Sequence, residues 1–138
     1  MIKIIVGIEG CGKTAKLVDQ MNVIATDPGK RVVCIVRGKR LETLIKPQIR
    51  LVDINEYPTV GYREFLSFLA GICATDYDIT DIYVDSIRKV TKTDDNLQFE
   101  TFLSLLEPFS ESTNVNFTFI LSEDPAVIPE GVKNFCES

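Results

Sequence analysis

The stretch that most restricts this chain is its start, where the apolar run MIKIIV passes through GIEGCGKT into an amphipathic segment. Ile2, Ile4, Ile5 and Val6 read as a buried strand, and Leu17, Val18, Met21, Ile24 and Ala25 recur at helical spacing. Between them lie Gly7, four free positions, then Gly12, Lys13 and Thr14, the pattern G-x-x-x-x-G-K-[ST] without a mismatch. A chain that wraps a phosphate must turn its amide N–H groups inward, and glycine reaches the required dihedrals without strain. Gly7, Gly10 and Gly12 supply that freedom. The following helix points its N-terminus, with its partial positive charge, at the anion. A chance match in a chain of this length is on the order of 1%, so a plain glycine-rich turn is the weaker reading. The loop is therefore read as a phosphate cradle built by Gly7, Glu9, Gly10, Cys11, Gly12, Lys13, Thr14 and Ala15. Lys13 is placed on the β- and γ-phosphates as a point charge, and the Thr14 hydroxyl is placed on Mg²⁺, which prefers oxygen ligands.

The rest of the chain alternates the two periodicities. RVVCIV (Arg31 to Val36) predicts a second buried strand after the turn DPGK. QIRLVDI (Gln48 to Ile54) predicts a short edge strand preceded by Pro47. YREFLSFLAGICA predicts a helix with Phe65, Phe68, Leu69 and Ile72 on one face. DIYVD predicts a buried strand ending in an acid, Asp85. DDNLQFETFLSLLEPF predicts a helix with Asp94 or Asp95 as N-cap and Pro108 in its last turn. NFTFILS (Asn116 to Ser122) predicts another buried strand, and the tail VKNFC a last short one. Strands alternating with helices predict a three-layer α/β fold, a mostly parallel sheet with helices on both faces and the Ile2–Val6 strand central.

Composition limits the partners. The 138 residues suit one domain, and a charged fraction of 25% beside a hydrophobic fraction of 45% is that of a globular protein. A net charge of −5 argues against nucleic acid as a general partner, and Arg37, Lys39 and Arg40 form only a small basic group. No apolar run approaches a membrane span, and a strand begins at once where a leader would stand, so a cytoplasmic protein without membrane attachment is expected. The four cysteines form no C-x-x-C pair and there is no histidine, which speaks against zinc. Cys34 and Cys73 read as core residues. Cys11, in the loop at a helix N-terminus, is either a tolerated small side chain or a redox-sensitive thiol.

A site that holds Mg²⁺ and nucleotide needs a carboxylate at the end of a buried strand, and IYVD offers Asp85. With that pair the chain resembles the P-loop nucleoside triphosphatases over most of its length. Gly7–Thr14 look like Walker A and Ile82–Asp85 like Walker B. The order of strands resembles the RecA-like division, in which a strand is inserted between the two Walker strands. The resemblance implies one P-loop nucleotide-binding domain over 1–138, ATP and Mg²⁺ as cofactors, Lys13 and Asp85 in the catalytic role, Thr14 and Asp85 on the metal, and Ser122 as a residue that senses the γ-phosphate. Among small proteins it is similar to short stand-alone bacterial ATP-binding proteins.

One departure bears on function. RecA-like hydrolases carry a glutamate directly after the Walker B aspartate, and this chain has Ser86. Serine is a poor general base at neutral pH. Glu9 is the nearest replacement, or else points to solvent away from the triphosphate. Arg37 and Arg88 are either γ-phosphate cations or surface ion pairs. Three function classes follow: an ATP-binding protein with slow or partner-stimulated hydrolysis, the partner being a protein or a second copy; a small-molecule or nucleoside kinase; and a binding or assembly module with a structural nucleotide site. The absence of an N-K-x-D motif favours ATP over GTP.

Overall fold

The computed structural model describes residues 1–137; Ser138, the last residue of the expected domain, lies outside the described residues. Five strands form one wholly parallel sheet: β1 (Ile2–Gly7), β2 (Val32–Val36), β3 (Arg50–Asp53), β4 (Asp81–Val84) and β5 (Asn116–Ser122), in the order β1-β5-β4-β2-β3. The helices are α1 (Lys13–Ile24), α2 (Gly61–Thr75), the short α3 (Ile87–Thr91), α4 (Asn96–Thr113) and the single turn α5 (Glu130–Lys133). Among the described residues no helix is long and apolar enough to cross a membrane.

Alternation along the strands gives the sheet two apolar faces. Ile5, Cys34, Val36, Tyr83 and Ile120 pack with Leu17, Val18 and Met21 of α1 and with Leu41 and Ile49 of the β2–β3 connection. Ile4, Ile35, Ile82, Phe117 and Phe119 face the other way, onto α2, α3, α4 and α5. That second core is aromatic: Phe102 of α4 lies edge-on to Phe119 at 5.7 Å, and Tyr62 of α2 stacks on Phe99 at 5.5 Å. Helices thus cover both faces, as expected of a three-layer α/β arrangement. Parallel strands need crossovers, and a right-handed crossover ties the direction of travel to one face. The chain steps one way from β1 through β2 to β3 along the α1 face, then returns through β4 to β5 along the other.

This path corrects the expectation that Ile2–Val6 is central. The first crossover passes over the two positions that β4 and β5 fill later, so β1 ends at the margin of the sheet, paired with β5 alone. Its outer side is capped at one residue. The Ile4 N–H donates to the Phe135 carbonyl at 2.8 Å, and the Glu137 N–H donates to the Ile4 carbonyl at 2.9 Å. The expected tail strand reduces to that contact, a single bridge between Cys136 and Ile4 after the turn of α5. β3 takes the opposite edge, as Pro47 and the short pattern predicted.

α4 begins where the sequence placed it. Asp95 accepts from the N–H groups of Leu97 and Gln98, at 2.9 and 3.2 Å. It does not end near Pro108 but continues to Thr113. Ser104 and Pro108 are both exposed, so the carbonyl freed by the missing proline N–H faces water and the helix tolerates the loss. Asn114, in a left-handed conformation, closes it.

Candidate functional site

The carboxyl ends of β1, β5 and β4 lie side by side. The connections leaving β1 and β4 depart to opposite faces, so their first residues diverge and leave a crevice between them. Gly7 ends β1 and Lys13 begins α1, with the glycine loop between them. Gly10 (φ 79°) and Gly12 (φ 91°) are left-handed, a region where other residues are strained. At Gly7 the constraint is space: a Cβ there would stand 2.5 Å from the Cys11 sulfur. Gly12 caps α1 and has no side chain to offer, so no side-chain acceptor satisfies the first N–H groups of this 12-residue helix.

Lys13 is only 8% exposed. Its ammonium lies back across the loop, donating to the Ile8 carbonyl at 2.7 Å and standing 3.7 Å from the Cys11 sulfur. Glu9, Gly10, Gly12, Lys13, Thr14 and Ala15 line a cavity of about 320 Å³, joined from other elements by Arg40, Ser86, Lys89, Ile120 and Ser122. Cys11 is exposed, and neither it nor Gly7 is among the lining residues.

Across the crevice stands Asp85, which has no exposure at all. Its N–H continues the sheet ladder by donating to the Ile35 carbonyl at 3.0 Å. Its carboxylate receives the Thr14 hydroxyl at 3.3 Å, the Ser86 hydroxyl at 3.2 Å and an Arg40 guanidinium N–H at 2.7 Å. A buried carboxylate needs both hydrogen bonds and a counter-charge; here residues 14, 40 and 86 bring them from three separate segments. Thr14 and Asp85, paired on sequence grounds as oxygen ligands, are thus neighbours in space.

In the sequence Arg40 stands out only as part of a small basic group with Arg37 and Lys39. Its signal was its place, four residues beyond the end of β2 and so on the same carboxyl rim as Gly7 and Asp85. Arg37 and Arg88, the two candidate γ-phosphate cations, point elsewhere. Arg37 donates to the carbonyls of Lys89 and Val90 and to the Asn55 side chain, tying the β2–β3 connection to α3. Arg88 donates to the Ser122 carbonyl at 2.9 Å, to Asn96 at 2.6 Å and to Glu123 at 2.7 Å, clamping the end of β5 to the start of α4. That hydrogen bond from Arg88 is the main reason the Glu123 carboxyl is held below its ordinary value.

Ser86 is left-handed (φ 63°, ψ 72°), an uncommon state for a residue with a side chain and one that gathers at functional sites. It borders both the loop cavity and a second one of about 470 Å³, and Glu9, Lys89 and Ser122 also line the two. Arg88 and Lys92 line the second cavity further out. Cys34 and Cys73 lie in the core as expected, and burial pushes the Cys34 thiol up to about 12. No group of three or more His, Cys, Asp or Glu side chains gathers among the described residues.

No protein-family model matches the chain, and no curated protein matches it.

Proposed function

We propose that the protein binds ATP with Mg²⁺ against the glycine loop and hydrolyses it slowly when alone, a protein partner or a second copy raising the rate. The observation that carries this reading is the 3.3 Å contact between the Thr14 hydroxyl and the fully buried Asp85, at the carboxyl ends of parallel strands and beside a loop with two left-handed glycines. The position of β5 between β1 and β4, with Ser122 at its end on the cavity wall, supports a RecA-like P-loop assignment. The free cysteines fit a reducing compartment such as the cytoplasm.

Thr14 and Asp85 suit Mg²⁺, which takes hard oxygen donors and commonly uses one or two carboxylates beside substrate phosphates and water. When bound, that ion neutralises charge on the β- and γ-oxygens. The chain's own part is to hold the triphosphate: the N–H groups at the start of α1 face the anion, and Lys13 exchanges its Ile8 carbonyl for phosphate oxygen. Ser86 has no basic group to take a proton from water, and general-base help is typically worth about 10²–10⁴-fold. Among the described residues, Glu9 is the one carboxylate side chain that lines both cavities. The test is mass spectrometry of the nucleotide that copurifies, followed by single-turnover hydrolysis. Adenine nucleotide and turnover far below one per second are expected; several per second would refute the slow reading.

The adjoining cavity of about 470 Å³ favours a second reading, phosphoryl transfer to a small acceptor seated beside the triphosphate. Transfer to a nucleoside panel separates the two.

A further inference from the structure

We propose that Arg40 is a built-in counter-cation that competes with Mg²⁺ for Asp85, so that metal–nucleotide binding exchanges one cation for another. The inference rests on the nucleotide reading above. Asp85 is closed to water, and one of its oxygens already carries the Arg40 N–H at 2.7 Å, the shortest of its side-chain contacts. Thr14 reaches both oxygens, at 3.3 and 3.5 Å, and Ser86 reaches the first at 3.2 Å. Two carboxylate oxygens offer about four acceptor sites, and three donors, the Thr14 hydroxyl shared between both oxygens among them, already take most of them. A divalent ion brought to this carboxylate by Thr14 meets a guanidinium at ion-pair distance, and the like charges repel. One of them has to leave, and Arg40 is the one that can.

The loop is built for that movement. Arg40 has a side chain 44% exposed, whereas its partner Asp85 is fixed in the sheet ladder. The start of the loop is held: Arg37 is bound to α3, and the Gly38 N–H donates to Asp53 at 2.8 Å. Leu41, just after, is buried under α1. The backbone is therefore anchored on both sides and the long side chain alone swings. Arg40 also lines the loop cavity with Lys13, so on leaving Asp85 it stays within a space that triphosphate oxygens would enter. Arginine suits both positions, since its planar fork binds carboxylate and phosphate alike.

Competition makes the coupling reciprocal: bound metal weakens Arg40 on Asp85 by the same factor by which Arg40 weakens the metal there. The experiment titrates Mg²⁺ at fixed ATP and reads binding of a fluorescent ATP analogue, with wild type, Arg40→Gln, Arg40→Lys and Lys39→Gln side by side. Arg40→Gln should lower the half-saturating Mg²⁺ about fivefold or more and weaken ATP binding in EDTA. Lys39→Gln, which alters an exposed charge on the same loop, should change neither. Arg40→Lys keeps a charge over Asp85 and should fall between, which secures the comparison if the glutamine variant does not fold. In the wild type, the Arg40 side-chain Nε–H resonance, assigned by its loss in Arg40→Lys, should shift with Mg²⁺ and ATP together and more weakly with ATP in EDTA. Equal half-saturating Mg²⁺ in folded Arg40 variants and wild type, while ATP binding stays Mg²⁺-dependent, would overturn the exchange and leave the nucleotide reading standing. Failure of the wild type to bind ATP at any Mg²⁺ concentration would overturn both.

Discussion

The strand β4 carries an aspartate at each end, and the two meet different company. Asp81, at the amino end, is 5% exposed, accepts from the Asn116 side chain at 3.3 Å, and has Lys30 only at 4.0 Å. One of its oxygens is buried without a hydrogen bond. Asp85, beyond the carboxyl end, is more deeply buried yet fully served by Thr14, Arg40 and Ser86. Burial of a carboxylate therefore does not mark a site. What separates the two ends is convergence. Crossovers in a parallel sheet begin at the carboxyl ends, so loops from several strands deliver polar groups to one crevice. At the amino ends the neighbours mainly complete backbone hydrogen bonds, as Thr80 does with the Arg31 N–H at 2.9 Å.

The strongest way to break this contrast is at Lys13. Lys13→Ala should weaken ATP binding by about 2–4 kcal/mol, the usual scale for losing a charge-assisted contact to phosphate. Calorimetry with ATP and Mg²⁺ reads it, and unchanged affinity would remove the glycine loop from the site.

A sharper version makes one substitution at both ends of β4. Asp85→Asn should abolish the Mg²⁺-dependent part of ATP affinity, because a neutral amide is a poor ligand for a hard divalent ion. Asp81→Asn should leave that affinity untouched and raise stability by about 1 kcal/mol, since it neutralises a buried carboxylate that lacks a full set of partners. Calorimetry and urea unfolding on the two variants decide it. A loss of Mg²⁺-dependence at Asp81 would erase the distinction between the ends.

The smallest effect concerns Arg88 and Glu123, which sit on the carboxyl rim of the sheet yet tie its elements together. The hydrogen bond from Arg88 holds the Glu123 carboxyl below its ordinary value of 4.5. A carboxyl lowered in the folded state contributes stability that is complete above 4.5 and is lost as pH falls through the lowered value. The melting temperature should therefore drop on acidification, and Glu123→Gln should flatten that drop by roughly 2 °C. ATP affinity at neutral pH should not change. A large affinity loss would move Glu123 from clamp to site.

Much of this was legible in the residues themselves. The apolar runs IKIIV and VVCIV and the stripe of Phe65, Phe68, Leu69 and Ile72 gave the right elements in the right places, because burial periodicity is written within each segment; the structure turns that helix slightly, so that Tyr62 and Cys73 are buried and Phe68 and Ile72 are half-buried. A cap at Asp94 or Asp95, of which the structure takes Asp95, and the left-handed Gly10 and Gly12 were legible too, since a cap and a positive φ are decided by a residue and its neighbours; Gly7, expected with them, is not left-handed and is required for space instead. Pro108 misled because its cost depends on whether the freed carbonyl meets water or core, and the tail misled because a single bridge on β1 looks like a strand in composition.

By itself, then, the sequence determined the five strands, the long helices α1, α2 and α4, the glycine loop and the acid that closes β4, but not the short α3 and α5. Those follow from forces acting over a few residues. Only the tertiary structure decided that β1 lies at the sheet margin, and that Arg40 rather than Arg37 or Arg88 reaches the buried carboxylate beside Thr14. These depend on the handedness of crossovers and on where an anchored loop carries a long side chain. Positions 14, 40 and 85 are joined by no periodicity, and only the packing of the whole sheet fixes the distances between them.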